Sequence, residues 1–315
     1  MKSNQGEFEG AISDYKKTLD ADPNESTKYQ TKYNLGICLR KLNRHTESIK
    51  ELTDAIVAKP DEAWAHNNLG LSYFENGDFE NAQNSYAKAI QHCNVDKKEE
   101  DEEKWNDAAM LHYNKATVCE RWGYHEEALE SINEAIEYYD KDPNFHYMRG
   151  NIFYQMQMLD DAHENYDEAI RMEPNNDRFW HQKGLAYQQS GSKDNVSEAI
   201  RMFKQALELN EKCVAARFHL GIMYHQNNNF HEALQCFTQV FEDEKNNPDL
   251  FIKRGNVYLD MGNYQFAIDD FDQAINTQES MIGLFLRGTA KLRSKDYVGA
   301  NEDFEKALTH ENTEV

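Results

Sequence analysis

Residues 33–39 read YNLGICL, an amphipathic helical pattern interrupted by Gly36. Glycine inside a helix costs roughly 1 kcal/mol relative to alanine, so its recurrence needs a reason. The same wording returns as NNLGLSY at 67–73, and in weaker form as YMRGNIF at 147–153, HLGIMY at 219–224 and KRGNVY at 253–258. Gly36 and Gly70 lie 34 residues apart, as do Gly150 and Gly184, and Gly221 and Gly255; Gly288 follows after 33, and Ala116 fills the slot before Gly150. A fixed period of this length is the signature of a repeat architecture.

Three further sets keep the same step. Ser48, Ala82, Ala128, Ala162, Ala199, Ala233, Ala267 and Ala300 come first, Ala199 being displaced by three inserted residues. Four residues on stand Leu52, Tyr86, Ile132, Tyr166, Phe203, Phe237, Phe271 and Phe304, and three beyond those Ala55, Ala89, Ala135, Ala169, Ala206, Val240, Ala274 and Ala307. The spacing i, i+4, i+7 puts the three on one helical face. The small residue with its apolar neighbours marks another helix upstream, separated by turn-forming stretches such as ENGD and DMGN. Each unit is a helical hairpin. Pro23, Pro60, Pro143, Pro174 and Pro248 all fall between units, where a missing N–H is harmless.

The small residue, the paired alanines, the aromatic between them and the boundary proline resemble the tetratricopeptide repeat, over nearly the whole chain. The resemblance implies an all-α fold, a right-handed α-solenoid of stacked hairpins with first helices lining a concave groove. The glycine then allows the two helices of a hairpin to approach closely. Residues 1–25 form a partial repeat, its second helix at 8–21, and 26–315 form eight units with an acidic insertion, NVDKKEEDEEKW, at about 94–105. That insertion is expected as a solvated loop or extended helix ends, or as a docking point for a basic partner. A shorter one, SGSKDN at 190–195, is expected to lengthen a turn. With no flanking helix in sight, Ile12, Tyr15 and Leu19 are expected on an exposed apolar face at the start of the chain, and the ends are expected to associate.

The totals narrow the partners. With 34 basic and 56 acidic residues the formal charge is −22, which repels a phosphate backbone; nucleic acid is excluded as a partner, and basic or neutral proteins fit better. No apolar run approaches a membrane span and no signal core is present, so no membrane association is expected. Cys38, Cys93, Cys119, Cys213 and Cys236 are scattered without a C-x-x-C pair, which suggests a reducing, cytoplasmic setting. No cofactor or metal is expected. His219 and His225 stand six apart, on diverging faces of one helix, with His231 on another. Phosphate-loop, dinucleotide, zinc-protease and nucleophile-elbow motifs are all missing, so the chain does not read as an enzyme.

The candidate site is a peptide-binding line implied by the resemblance. Asn34, Asn68 and Asn114 stand two residues before the small residue in consecutive units, a position facing the groove in this family; Met148, Gln182, His219 and Lys253 continue the register. A carboxamide offers donor and acceptor together and can grip the backbone of any extended peptide, similar to the asparagine ladders of other members; asparagine also suits a solvated helix face. Tyr113 and Tyr147 add aromatic contact area. Asn151 and Asn256 match the asparagine of the co-chaperone carboxylate clamp, but Tyr147 and Ile252 occupy its lysine position, which disfavours a heat-shock co-chaperone. The expectation is a non-catalytic scaffold holding an extended segment or helix of a partner within a multi-protein assembly. The alternatives are the recognition arm of a larger enzyme and a component of a ciliary or cytoskeletal transport complex.

Overall fold

The computed structural model describes residues 2–93, 95, 101–278 and 280–311, with the backbone alone described at 2–4, 193 and 310–311. Helix α1 (Lys2–Asp20) precedes α2 (Glu25–Lys41), α3 (His45–Ala58), α4 (Ala63–Glu75), α5 (Phe79–His92), α6 (Glu102–Trp122), α7 (His125–Tyr138), α8 (Pro143–Gln155) and α9 (Leu159–Met172). The series continues as α10 (Asp177–Ser190), α11 (Lys193–Leu209), α12 (Val214–Gln226), α13 (Phe230–Asp243), α14 (Pro248–Asp260), α15 (Tyr264–Thr277), α16 (Met281–Arg293) and α17 (Tyr297–Glu311). No strand occurs among the described residues. The helices form two compact units, Met1–Met172 and Glu173–Val315. Each is an α-solenoid of hairpins in which an even-numbered helix packs on the odd-numbered helix after it. Within each unit the even-numbered helices also touch one another (α2 with α4, α4 with α6, α6 with α8; α10 with α12, α12 with α14, α14 with α16). First helices therefore share one continuous side.

The repeated glycine answers to its partner on the second helix. A Cβ on Gly221 or Gly255 would stand 2.7 Å from Cε1 of Phe237 or Phe271, and one on Gly70 would stand 2.9 Å from the ring of Tyr86. These rings are buried to within 1%. Ala116 is tolerated where the facing residue is Ile132 instead of an aromatic. Each hairpin turns on one residue in the left-handed region: Asn43, Gly77, Gly123, Gln157, Gly191, Asn228, Gly262 or Lys295. In seven of the eight, an N–H beyond the turn closes a Schellman-type bond five residues back, as from Asp78 to the Tyr73 carbonyl at 2.9 Å.

Three expectations change. α1 starts at Lys2, and Ile12 is only 3% exposed, because it packs with Leu35, Cys38 and Leu39 of α2 while Phe8, Tyr15 and Leu19 are half-buried around it. SGSKDN does not lengthen the turn: Gly191 closes it at φ 65°, the Ser192 side chain caps the Asn195 N–H, and the added residues lengthen α11 to 17 residues. Of the acidic insertion, 94 and 96–100 lie outside the described residues. From Asp101, which caps the Lys104 N–H at 3.2 Å, the rest begins α6, 21 residues long against 13 in α4.

Candidate functional site: the shared side of the first helices

In the first unit two of the three asparagine positions are joined to the preceding first helix. Asn68 is 8% exposed, and its Nδ2 donates to the Tyr33 hydroxyl at 3.1 Å and to the Trp64 carbonyl at 2.9 Å. Asn114 donates from Nδ2 to Oδ1 of Asn67 at 2.9 Å. Asn34, half-buried, accepts from Gln30 Nε2 at 3.3 Å. The residue three before the small position thus meets the residue two before the small position of the next unit. The same pairing in the second unit brings the rings of His181 and His219 to 5.7 Å.

A parallel row lies two turns further along the same helices. Arg40 donates to Glu75 at 2.8 Å, the Arg121 guanidinium lies 6.0 Å over the Phe74 ring, Gln155 donates to Glu120, and in the second unit His225 meets Asp260 at 2.9 Å. The Arg40–Glu75, Glu120–Gln155 and His225–Asp260 partners are all 35 residues apart in sequence. Sequence reasoning missed this row, though the complementary pairs at that spacing were available to find it.

The remaining candidates divide by unit. Tyr113 packs 5.2 Å from Phe145, Tyr147 lies 6.1 Å from Tyr166, and Asn151 Oδ1 accepts from the Tyr166 hydroxyl at 2.9 Å. Met148 is buried among the apolar residues that surround Ile132 and Phe145. In the second unit Gln182, Lys253 and Asn256 are half-buried. His219 donates from Nδ1 to Gln188 Oε1 at 3.0 Å, and burial, helped by His181 and Lys253, pulls its pKa down to about 4. Burial and the nearby Glu62 carboxylate push the Tyr33 hydroxyl up. No group of three or more His, Cys, Asp or Glu among the described residues is placed to hold a metal ion, and no described helix is long and apolar enough to cross a membrane.

Stacked hairpins whose first helices share a side dense in carboxamides and aromatics define a helical repeat protein. Family models make that specific: one described as TPR repeat matches residues 38–77 and 150–191, and three described as tetratricopeptide repeat match 61–141, 192–251 and 248–280. The chain belongs to the tetratricopeptide repeat family. Human tetratricopeptide repeat protein 13 is 33% identical over 116 residues, 35% of this chain and 14% of that protein. The Hsp70-Hsp90 organising protein of Plasmodium falciparum (isolate 3D7) is 37% identical over 87 residues, 28% of this chain and 14% of that protein. The chain thus matches only a small part of these curated relatives' length. Among solved structures, a tetratricopeptide repeat protein from Parabacteroides merdae ATCC 43184 is similar with a TM-score of 0.59 at 23% identity, covering 78% of this chain and 92% of that one. YrrB, described as a TPR protein with an unusual peptide-binding site, has a TM-score of 0.51 at 25% identity, covering 63% of this chain and 95% of that one.

Proposed function

We propose that the chain is a non-catalytic interaction scaffold whose first unit holds an extended segment of a partner protein along the shared side of α2, α4 and α6, within a larger assembly. The observation that carries this reading is the pattern of commitments along the asparagine line. Asn68 and Asn114 each spend an amide hydrogen on the preceding first helix, Asn68 spends another on its own helix, and the Oδ1 of each has no partner among the described residues. Asn34 keeps its Nδ2 uncommitted. Two acceptors and one donor on neighbouring helices, flanked by Tyr33, Trp64 and Tyr113, suit the alternating N–H and C=O groups of an extended backbone. The likeness to YrrB, itself described by its peptide-binding site, supports the choice of ligand.

A heat-shock co-chaperone is the weaker reading despite the organising-protein relatives. Tyr147 and Ile252 stand where the clamp lysine belongs, and Asn151 has its carbonyl oxygen engaged by Tyr166. The test is affinity for partner segments captured from a peptide library. Asn34→Ala and Asn114→Ala should each weaken binding by about 0.5–1.5 kcal/mol with the melting temperature unchanged. Asn68→Ala should also destabilise the fold by about 1–2 kcal/mol, because it removes two buried hydrogen bonds. Unchanged binding in Asn34→Ala/Asn114→Ala would refute the assignment.

A further inference from the structure

Among the described residues, the α16–α17 hairpin leaves open a face that earlier hairpins bury. A cavity of about 430 Å³ is walled by Met281, Ile282 and Phe285 of α16 and by Phe304, Ala307 and Leu308 of α17, with no polar side chain in its lining. Met281, Ile282, Phe285 and Leu308 are 45–63% exposed. The same positions one hairpin earlier are covered: Leu259 is 6% exposed where Leu292 is 46%, and Phe271 is fully buried where Phe304 is half-buried. Single exposed apolar residues need no explanation, but a contiguous patch around an empty cavity marks an interaction surface.

Other hairpins show what fills this place. On α6–α7 the residues corresponding to Phe285, Phe304, Ala307 and Leu308 are Tyr113, Ile132, Ala135 and Ile136, and Phe145 of α8 packs among them with its ring 5.2 Å from that of Tyr113. On α12–α13 they are Phe218, Phe237, Val240 and Phe241, and Leu250 of α14 packs there. Seven residues on, Ile152 and Val257 lie on the same helical face and are buried in the same two clusters. Four residues after the first apolar anchor, an arginine reaches back to the preceding second helix: Arg149 donates to Asn133 at 3.0 Å, the Arg254 guanidinium lies 5.1 Å over the Phe241 ring, and Arg287 of α16 pairs with Asp272 of α15. Asn133 and Asp272 directly follow Ile132 and Phe271. The residue directly after Phe304 is Glu305, which is exposed and accepts only from the neutral Asn301 amide at 2.7 Å among the described residues, so its charge is unmatched.

We propose that this face docks an amphipathic helix of a partner protein, with a large apolar side chain filling the cavity, a second apolar residue seven positions later, and an arginine four positions after the first that pairs with Glu305. The interfaces inside each compact unit, which this face continues, supply the geometry, and Glu305 supplies the charge. A second copy of the chain offers no such helix, because the anchor position, five residues before the small residue, is already buried in every first helix from Thr31 in α2 to Gly283 in α16. The surface is separate from the asparagine line and does not depend on it.

The probe is an acetylated and amidated peptide with the sequence of residues 143–155, which carries Phe145, Arg149 and Ile152 at the required spacing, lengthened by an alanine-rich turn at each end to hold the helix. It is titrated into the full chain by fluorescence anisotropy. A Phe145→Ala peptide should bind at least tenfold more weakly. In the protein, Phe285→Ser should lower affinity at least fivefold, and so should Ile282→Ser, a gentler change in the first turn of α16; Phe266→Ser, which removes another exposed ring on α15, should change it less than twofold. Glu305→Arg should lower affinity at least fivefold, and an Arg149→Glu peptide should restore it to within twofold. Equal binding of the parent and Phe145→Ala peptides, equal effects of the cavity variants and Phe266→Ser, or no recovery in the charge swap overturns the proposal. Self-association of the chain in sedimentation velocity that Phe285→Ser abolishes would give the face to a second copy and overturn it as well.

Discussion

Replacing Gly255 by alanine sets two calculable effects against each other. Alanine favours the helix by about 1 kcal/mol over glycine. The new Cβ, however, would lie 2.7, 3.0 and 3.1 Å from three adjacent atoms of the Phe271 ring, where carbon atoms prefer about 3.5–4.0 Å. Phe271 is fully buried among Leu259, Ala267 and Ala290, so the ring cannot swing into solvent and the helices must part. Overpacking of this kind costs about 1–3 kcal/mol, and three close contacts on an immobile ring place it in the upper half of that range. The net destabilisation is about 1–2 kcal/mol, a fall in melting temperature of roughly 2–8 °C at about 2–4 °C per kcal/mol. Gly10→Ala on α1 is the control: nothing lies within 4 Å of its Cβ, so only the propensity gain operates and stability should rise. A rescue is available from the third hairpin, where Ala116 faces Ile132; Gly255→Ala/Phe271→Ile should recover part of the loss. Thermal denaturation followed by circular dichroism measures all three. A Gly255→Ala protein as stable as the parent would refute the close-approach explanation of the repeat glycine.

Other perturbations test other parts of the packing. Because burial holds His219 near pKa 4 against an ordinary 6.5, the unfolded chain binds its proton first; the stability His219 contributes is complete above pH 6.5 and is lost as pH falls from 6.5 towards 4, by up to roughly 3 kcal/mol. Melting curves across that window should be flatter for His219→Gln. Asp303 is 1% exposed and meets Lys291 at 2.8 Å as well as Arg287; burial alone would raise its pKa, but those two cations outweigh burial and hold it low. Asp303→Asn should therefore destabilise by about 3–5 kcal/mol in urea titration, and Arg287→Met/Asp303→Leu should regain most of it. Lys295 turns its hairpin at φ 71°, a conformation that disfavours any residue with a Cβ, so Lys295→Gly should raise stability by about 0.5–1 kcal/mol.

The repeat was legible because its determinants are local and recur in register: Gly221 with Phe237 and Gly255 with Phe271 sit at one spacing, and both sets could be read before any coordinates. What could not be read was which polar side chains were already engaged. Asn68 looks identical to Asn34 in sequence, yet Asn68 is buried and bonded to the Tyr33 hydroxyl of α2, whereas α2 follows α1, and Asn34 stays half-buried. The apolar face of α1 was misjudged for a related reason. Ile12 needs only one neighbouring helix to be covered, and α2 alone supplies Leu35, Cys38 and Leu39. Helix boundaries at insertions also escaped, because Ser192 and Asp101 act as caps that convert loop-like sequence into helix.

The net charge of −22 was read as a property of the whole surface, but the helices divide it. The eight first helices together carry 16 basic and 9 acidic residues, whereas α1 and the eight second helices carry 10 and 31. Much of the basic excess is used inside the hairpins. Arg254 grips Asp270 at 2.6 and 2.8 Å, and Arg287 grips Asp303 from the same position, in each case 16 residues downstream; Arg149 meets Asn165 at that spacing, where a neutral acceptor takes the place of the carboxylate. In the two hairpins that pair arginine with aspartate, the aspartate is at most 5% exposed, so its charge is matched within the hairpin and adds little to the outer surface. α7, α13 and α15 carry no lysine or arginine of their own, and α7 alone carries five glutamates. Opposite charges therefore join the two helices of a hairpin, while the acidic excess of the chain is carried by α1 and the second helices.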